Sequence, residues 1–215
     1  MIEAFIFDLD GVIADSEPLS FEASDIALAK YGIKKTEKER KEAFGRRAED
    51  IYSDILKSRK MDMDVNVLIK EKDDVFTDII KGKLKPIPNS LELIGFLREN
   101  KFRLALATSS HRDKMLPEVR ELGIEDHFEH KITGDDVSRG KPHPDIFLKA
   151  AEKLGVSPEK CAVVEDSEFG IQAAKRAGMF CFAFDSPNSP DQDMSAADMI
   201  VSDLSEIEEY IKKNK

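Results

Sequence analysis

The sequence has little of what marks several common classes of protein. Among its 215 residues it has only two cysteines, Cys161 and Cys181, and each stands within an apolar run. We therefore expect two buried thiols in adjacent core strands. A zinc site is not expected, because none of the four histidines stands at a ligand spacing from the cysteines.

Long hydrophobic runs and an excess of positive charge are also missing. No apolar run approaches the roughly 18 residues of a membrane span, and the apolar N-terminal stretch is interrupted by Glu3, Asp8 and Asp10, so we expect no signal peptide. With 33 Lys and Arg against 43 Asp and Glu, the net charge is -10. These absences predict a cytoplasmic protein without membrane or nucleic-acid partners. Nothing indicates an oligomeric state, so a monomer is the simplest expectation.

What the sequence does contain is an alternation of short apolar runs with amphipathic stretches. Residues 90–99, 144–154 and 167–177 have helical patterns, and strands are predicted between them. The alternation predicts an α/β fold with a doubly wound, Rossmann-like parallel sheet and helices on both faces. The predicted strands cover residues 2–7, 103–107, 130–133, 161–164, 180–184 and 199–201.

One region interrupts this alternation. From about residue 16 to residue 85 we find no strand pattern, and four stretches read as helices: 21–31, 36–44, 48–57 and 65–81. We therefore predict an α-helical bundle cap domain at 16–84, inserted after the first strand of a core domain formed by 1–15 and 85–215. Such an insert would hang over the carboxyl end of the sheet, where open α/β folds bind ligands.

The first predicted strand runs directly into Asp8 and Asp10. In an extended chain their side chains lean to the same side. Two carboxylates this close repel each other unless a cation lies between them or one stays protonated. A divalent metal acting on phosphate is the simplest chemistry that explains the pair.

Other predicted strands also end in polar residues. At the carboxyl edge of a parallel sheet, carboxylates, a hydroxyl and a lysine can hold Mg²⁺ and a phosphate together. The residues at these strand ends, besides the two aspartates, are Thr108, Ser109, Ser110, Lys141, Glu165 and Asp166.

Other ligand motifs fit poorly. The glycine after Asp10 comes too early for an EF-hand loop, and the stretch from Gly134 to Lys141 has Pro142 where a P-loop needs Ser or Thr. No Gly-x-Ser-x-Gly elbow is present.

Taken together, these segments resemble the four motifs of the haloacid dehalogenase superfamily, in the family's order. The predicted helical insert resembles that superfamily's α-helical cap. The chain is most similar to the β-phosphoglucomutase-like and sugar-phosphatase branch. The segments that carry the resemblance are Asp8-Leu9-Asp10-Gly11-Val12, the hydroxyl-ended second strand at Thr108, Gly140-Lys141-Pro142-x-Pro144, and Glu165-Asp166-Ser167 with Gly170.

The resemblance implies a role for each catalytic residue. Asp8 would be the nucleophile that forms an aspartyl-phosphate. Asp10 would protonate the leaving alcohol and then activate water. Thr108 and Lys141 would bind phosphoryl oxygens and offset the charge of the transition state.

It also implies a metal site. Asp166 would hold Mg²⁺ together with the Asp8 carboxylate and the Asp10 backbone carbonyl. Glu165 would join them directly or through water. Backbone N–H groups of Leu9 and Asp10, and those around Ser109, would help to bind the phosphate.

Four side chains have weaker assignments. Ser109 and Ser110 would bind phosphate with Thr108, although Thr108 or Ser110 could simply cap the next helix. In the insert, Arg46 and Arg47 follow a cap glycine, Gly45, where related caps contact substrate. The alternative for the arginines is a solvated surface pair.

The resemblance leaves two activities open. Mutases of this branch usually carry a histidine where this chain has Ser20 and an arginine where it has Ala48, although Arg46 and Arg47 are nearby. Loss of these cationic groups favours water as the phosphoryl acceptor. We therefore expect a phosphatase acting on a small phosphorylated metabolite. The alternatives are a phosphohexomutase with the same nucleophile and a non-catalytic binder of phosphorylated ligands.

Overall fold

The computed structural model describes residues 1–43, 46–187 and 192–214. Within these residues, six parallel strands form one sheet in the order β3-β2-β1-β4-β5-β6. This order reverses direction between β1 and β4, as in doubly wound folds, and confirms the predicted Rossmann-like sheet. The strands are β1 (Ala4–Phe7), β2 (Arg103–Ala107), β3 (His130–Ile132), β4 (Cys161–Glu165), β5 (Phe180–Phe184) and β6 (Met199–Val201).

Helices cover both faces of this sheet. In β1 every side chain is buried, and alternate residues enter different apolar clusters: Phe5 and Phe7 on one face, Ala4 and Ile6 on the other. A parallel sheet needs this double cover because neither face is polar. The covering helices are α5 (Ser90–Glu99), α6 (Arg112–Glu121), α7 (Asp145–Leu154), α8 (Glu168–Arg176) and α9 (Ser205–Lys213).

Four further helices lie between β1 and α5. The first, third and fourth of them share a small apolar cluster that includes Leu28, Tyr52 and Leu68, whereas the second has no buried residue. Phe76, near the end of the last helix, and Ile80, just after it, pack instead into the apolar cluster that contains Phe5 and Phe7 on one face of the sheet. The helices are α1 (Glu17–Ala29), α2 (Glu37–Lys41), α3 (Ala48–Ser58) and α4 (Val65–Ile79).

The two segments that connect these helices to the sheet lie side by side. Asp15 N–H donates to the Lys85 carbonyl at 2.9 Å, and Ile87 N–H donates to the Ile13 carbonyl at 2.8 Å. Because the first connection begins just after β1, this pairing places α1–α4 next to the carboxyl end of the sheet.

Several local predictions differ from the structure. The helix predicted from residue 21 begins four residues earlier, at Glu17, and the one predicted for 36–44 is the short α2, with Phe44 and Gly45 outside the described residues.

Cys161 and Cys181 lie buried in adjacent strands, as predicted. In the described part of the chain, no helix combines the length and hydrophobicity that a membrane crossing requires.

Candidate active site

A cavity separates the carboxyl edge of the sheet from helices α1–α4. Its walls hold most of the residues predicted from the strand ends, whereas Leu9, Arg47 and Glu165 are not among its lining residues. The sheet side contributes Asp8, Asp10, Thr108, Ser109, Ser110, Lys141 and Asp166, and the helical side contributes Glu17, Ser20, Lys35, Arg46 and Lys72, among others.

Asp8 and Lys141 form a buried ion pair at the bottom of this cavity. The Lys141 ammonium donates to Asp8 Oδ1 at 2.6 Å and to Glu165 Oε1 at 2.5 Å. Burial raises the pKa of Asp8 to about 8, and Lys141 only partly offsets this effect because Glu165 and Asp10 add negative charge nearby. Lys141 alone therefore does not keep Asp8 ionised, and a further cation at this edge of the sheet would favour its carboxylate form.

Glu165 is engaged entirely by protein donors. Its Oε2 accepts from the backbone N–H groups of Asp166 at 2.8 Å and Ser167 at 2.7 Å, and from the Ser167 hydroxyl at 2.9 Å. Its Oε1 accepts from Lys141, and the residue is fully buried. The contacts make Glu165 a support for Lys141 and for the turn before α8, and its direct contact with a metal remains a prediction.

Asp10 stands in a different environment from Asp8. Its Oδ1 accepts from the Ser16 hydroxyl at 2.5 Å and from the Lys114 ammonium, and its Oδ2 accepts from the hydroxyls of Ser110 at 2.8 Å and Thr108 at 3.4 Å. Burial opposes ionisation of this carboxyl, but the charge and hydrogen bond of Lys114 outweigh burial and hold the pKa of Asp10 below its usual range. The two aspartates thus differ in partner and in protonation tendency.

Lys114 and Glu118 are site residues that the sequence analysis missed. Both are buried, and the Lys114 ammonium lies 3.2 Å from Glu118 Oε1. A signal was present, since in α6 they alternate with Met115 and Val119 on the face that is buried. A lysine and a glutamate four residues apart on the core-facing side of a helix indicate a buried pair rather than a solvated one.

The helical side of the cavity also carries cations that were not predicted. Lys35 and Lys72 are buried there, beside Asp25 at 3.7 Å and Asp73 at 3.2 Å respectively. Burial lowers the pKa of Lys35 to about 8. The sequence argument considered cap cations at positions 20 and 48 and at Arg46 and Arg47, and the structure supplies two from other positions.

Arg46 and Arg47 point to different places. Arg46 lines the cavity and pairs with Asp54 at 2.7 Å. Arg47 reaches across to the sheet side, where its guanidinium donates to the Val137 carbonyl at 3.5 Å. Its side chain also packs on Gly140, so closely that a Cβ added to Gly140 would lie 2.8 Å from Arg47 Cδ. Arg47 therefore joins the helical segment to the sheet side, outside the cavity. Gly45, which anchored the prediction for both arginines, lies outside the described residues.

The donor set at the sheet edge is small. Asp166 lies against Gly11, where any Cβ would overlap the Asp166 carboxylate, and Gly11 has φ +78°. This places Asp166 beside the backbone that follows Asp10. In residues 1–43, 46–187 and 192–214, no three His, Cys, Asp or Glu side chains form a metal-binding group. Two carboxylates, from Asp8 and Asp166, with the Asp10 carbonyl fit Mg²⁺, which takes few carboxylates and completes its shell with water and phosphate oxygens.

Two predicted phosphate contacts involve backbone groups. The Leu9 side chain is fully buried in the apolar cluster that contains Phe5 and Phe7, so only its backbone N–H could bind a phosphate. Ser109 lines the cavity. Both contacts stay predictions.

Comparison with known proteins agrees with this geometry. The family model of haloacid dehalogenase-like hydrolases matches residues 5–184. A phosphorylated carbohydrates phosphatase from Thermotoga maritima is 37% identical over 83% of this chain and 82% of its own length. A β-phosphoglucomutase from Bacillus subtilis is 32% identical over 96% of this chain and 92% of its own.

A crystal structure shows the same fold over the whole chain. CbbY from Rhodobacter sphaeroides, solved in complex with phosphate, superimposes with a TM-score of 0.89 at 27% identity and covers 96% of each chain. The family model, the two relatives and the strand order lead to one assignment. The chain belongs to the haloacid dehalogenase-like hydrolases.

Proposed function

We propose that this protein is a Mg²⁺-dependent phosphatase that hydrolyses a small sugar phosphate through an aspartyl-phosphate on Asp8. The observation that carries the proposal is the contrast between two carboxylates at one sheet edge: Asp8 is held by Lys141, and Asp10 by hydroxyls and Lys114. Two neighbouring carboxylates in different environments can take different roles, one as nucleophile and one as proton carrier. For these roles the order of their pKa values has to reverse when metal and phosphate bind: a metal ion beside Asp8 would favour its carboxylate, and the negative phosphate would favour a proton on Asp10.

In the first step a carboxylate oxygen of Asp8 forms a bond to phosphorus. The bond between phosphorus and the alcohol oxygen breaks, its electron pair stays on that oxygen, and the oxygen takes the proton of the Asp10 carboxyl. In the second step a water oxygen bonds to phosphorus and gives its proton to Asp10. The phosphorus–Asp8 bond breaks, and its electron pair restores the Asp8 carboxylate.

Lys141 and Thr108 would bind the phosphoryl oxygens during both steps. Lys141 already faces Asp8, so its charge would lie next to the phosphorus that Asp8 attacks. Mg²⁺, held by Asp8, Asp166 and the Asp10 carbonyl, would neutralise phosphate charge.

Residues 16–84 would act as the cap over this site. Their helices supply one wall of the cavity, and the paired connections at Asp15 and Ile87 mark where the cap would leave and rejoin the core. A closed cap would keep bulk water away from the aspartyl-phosphate and would choose the substrate.

The names of the relatives support a sugar phosphate as the class of substrate. The Thermotoga maritima relative carries the name of a phosphatase of phosphorylated carbohydrates. A phosphohexomutase is the second candidate, since the cap wall carries buried Lys35 and Lys72, which could hold a second phosphate, and the Bacillus subtilis relative is a β-phosphoglucomutase. Ser20 and Ala48 favour hydrolysis, as argued from the sequence.

The test measures phosphate released from a panel of sugar phosphates with and without Mg²⁺. We expect release to require Mg²⁺ and to disappear in Asp8→Asn, because an amide cannot form the aspartyl-phosphate. The matched control is Asp62→Asn, the same substitution at an exposed position of the helical segment, which should retain full activity.

Two results would change the assignment. Phosphate release that survives in Asp8→Asn would rule out Asp8 as the nucleophile. A hexose 1-phosphate supplied with a trace of its bisphosphate would separate the two candidates. If it became the 6-phosphate faster than phosphate appeared, the protein would be a mutase.

A further inference from the structure

We infer that Lys114 is a positioning residue that sets the orientation of Asp10 for proton transfer. The inference rests on the proposed function, in which Asp10 carries the proton. Lys114 lies on α6, seven residues after Ala107, the last residue of β2. Its side chain is 6% exposed.

The hydrogen bonds of Lys114 argue against direct binding of substrate. An ammonium group has three N–H donors. In Lys114 they are directed at three neighbours: Asp10 Oδ1, the Ser110 hydroxyl at 3.1 Å, and the Glu118 carboxylate, with Oε1 at 3.2 Å. All three donors are therefore used within the protein. This differs from a lysine that must turn a donor towards phosphate.

The contacts on Asp10 divide its two oxygens by function. Oδ1 is held by Lys114, which also lines the cavity but directs its three donors at protein groups, and by Ser16, which is fully buried and does not line the cavity. Oδ2 faces the hydroxyls of Ser110 and Thr108, and both of these residues line the cavity. Fixing Oδ1 thus turns Oδ2 towards the place where the phosphate ester would bind, and Oδ2 is the oxygen that would carry the proton.

Lys114 is itself held from two sides. Glu118 lies one helical turn further along α6, and the Phe76 ring of α4 lies 4.7 Å from the Lys114 ammonium. A second ammonium, that of Lys72, lies 5.0 Å from the same ring. Such contacts between cations and rings are favourable when desolvated. The orientation of Asp10 therefore depends on packing between a core helix and a helix of the proposed cap.

The consequence concerns the leaving group. When the phosphorus–oxygen bond breaks, an alkyl oxygen needs the proton of Asp10, whereas p-nitrophenolate is stable as an anion and leaves without it. Removing a group that only positions Asp10 must therefore lower kcat/KM for a sugar phosphate and change kcat/KM for p-nitrophenyl phosphate little. A group that supports the fold must affect both substrates alike.

The test compares kcat/KM for both substrates in the wild type and in Lys114→Met. We expect kcat/KM for the sugar phosphate to fall by about tenfold or more, part of the roughly 10²–10⁴ that acid–base catalysis contributes. For p-nitrophenyl phosphate the change should stay within about threefold. The ratio kcat/KM reports only the steps through departure of the alcohol, so the later attack of water does not enter.

A double-mutant cycle with Asp10→Asn shows whether Lys114 acts through Asp10. Asp10→Asn alone should produce the same preference for the aryl substrate, and more strongly. Adding Lys114→Met to Asp10→Asn should then change the ratio between the substrates no further, because the carboxyl that Lys114 positions is gone.

Folding needs its own control, since Lys114→Met leaves Glu118 buried without its cation. The double variant Lys114→Met/Glu118→Gln removes the pair together, and it should fold and show the same leaving-group preference. Thermal unfolding of each variant checks the fold.

The outcomes separate the inference from the function it rests on. Equal losses for both substrates in the Lys114 variants, or a preference that grows when Lys114→Met is added to Asp10→Asn, would overturn the inference while Asp10 keeps its role. A wild type that releases phosphate from neither substrate, or an Asp10→Asn variant without any preference, would overturn the proposed function and the inference together.

Discussion

At the scale of single residues, Asp8 and Asp10 each pair with a different lysine. Lys141 faces Asp8 and is supported by Glu165, and Lys114 faces Asp10 and is supported by Glu118. The two lysines and the two glutamates are all buried. Buried charges of opposite sign persist only when each is paired, so the two supporting glutamates keep the lysines in place.

The contacts of Glu165 predict how its replacement would affect the enzyme. In Glu165→Gln the amide oxygen can still accept the N–H groups of Asp166 and Ser167, but the amide NH₂ would face the Lys141 ammonium, donor against donor. We expect kcat to fall by about tenfold, with the Mg²⁺ concentration for half-maximal activity nearly unchanged. A titration of activity against Mg²⁺ measures both quantities.

Asp166→Asn provides the reference for that titration, because Asp166 is a proposed ligand and its loss should raise the Mg²⁺ requirement. If Glu165→Gln raised the requirement as strongly as Asp166→Asn, Glu165 would be a metal ligand after all.

At the scale of elements, the start of α8 is fitted to the site. Ser167 caps the helix by accepting the Gly170 N–H at 3.1 Å, and Gly170 is buried one turn into the helix. Any Cβ on Gly170 would overlap the Glu165 carboxyl. The helix therefore approaches β4 more closely than another residue at this position would permit.

Gly170→Ala should accordingly disturb both stability and catalysis. The added methyl group has to displace Glu165, and overpacking of this kind destabilises by about 1–3 kcal/mol. Since Glu165 holds Lys141, phosphate release should fall as well. Urea unfolding and the phosphate assay measure the two effects.

Gly95→Ala is the matched control, because Gly95 also lies within a helix but a Cβ there meets nothing within 4 Å. We expect it to stabilise the protein by about 0.4–1 kcal/mol and leave activity unchanged. A Gly170→Ala variant as stable and active as Gly95→Ala would contradict the close approach seen in the structure.

At the scale of the whole molecule, charged side chains join the helical segment to the sheet side. His111 Nδ1 lies 2.6 Å from Asp135, and its Nε2 lies 3.3 Å from Glu49 of α3, an ion-pair distance without the geometry of a hydrogen bond. Arg47 makes the second connection, on Gly140 and Val137. These contacts hold the two sides of the cavity together.

The His111 contact predicts a pH dependence of stability. Glu49 raises the pKa of His111 to about 9, against the opposing effect of burial and with further help from Asp135. Because the folded pKa lies above the unfolded one, the stabilisation is fully present below about pH 6.5 and is lost as the pH rises through about 9.

We expect His111→Gln to lower the free energy of unfolding by about 1 kcal/mol at pH 6, since the partners are partly exposed, and by much less at pH 10. Urea unfolding of wild type and variant at both pH values measures the difference, and other titrating groups cancel in the comparison. A difference that is equal at both pH values would show that His111 does not contribute through its charge.

The sequence by itself determined the order of strands and helices and the residues at the strand ends. Short apolar runs identified all six strands of the described sheet, and the ends of parallel strands share one edge, so Asp8, Thr108 and Asp166 were expected to lie close together. Both predictions depend only on short segments of the sequence and on the general geometry of parallel sheets. Neither requires knowing how the helices pack against the sheet.

Only the tertiary structure decided which charged side chains complete the site. The sequence places Lys114 on the core-facing side of α6, but only the packing of α4 and the contact with Asp10 show what it pairs with. Likewise, only the contact with Gly140 shows where the Arg47 side chain lies. Whether a long charged side chain is buried depends on segments distant in sequence, because burial is decided by the surface that packs against it. The strand ends determine where the cavity lies, and packing among the helices determines which lysines besides Lys141 line it.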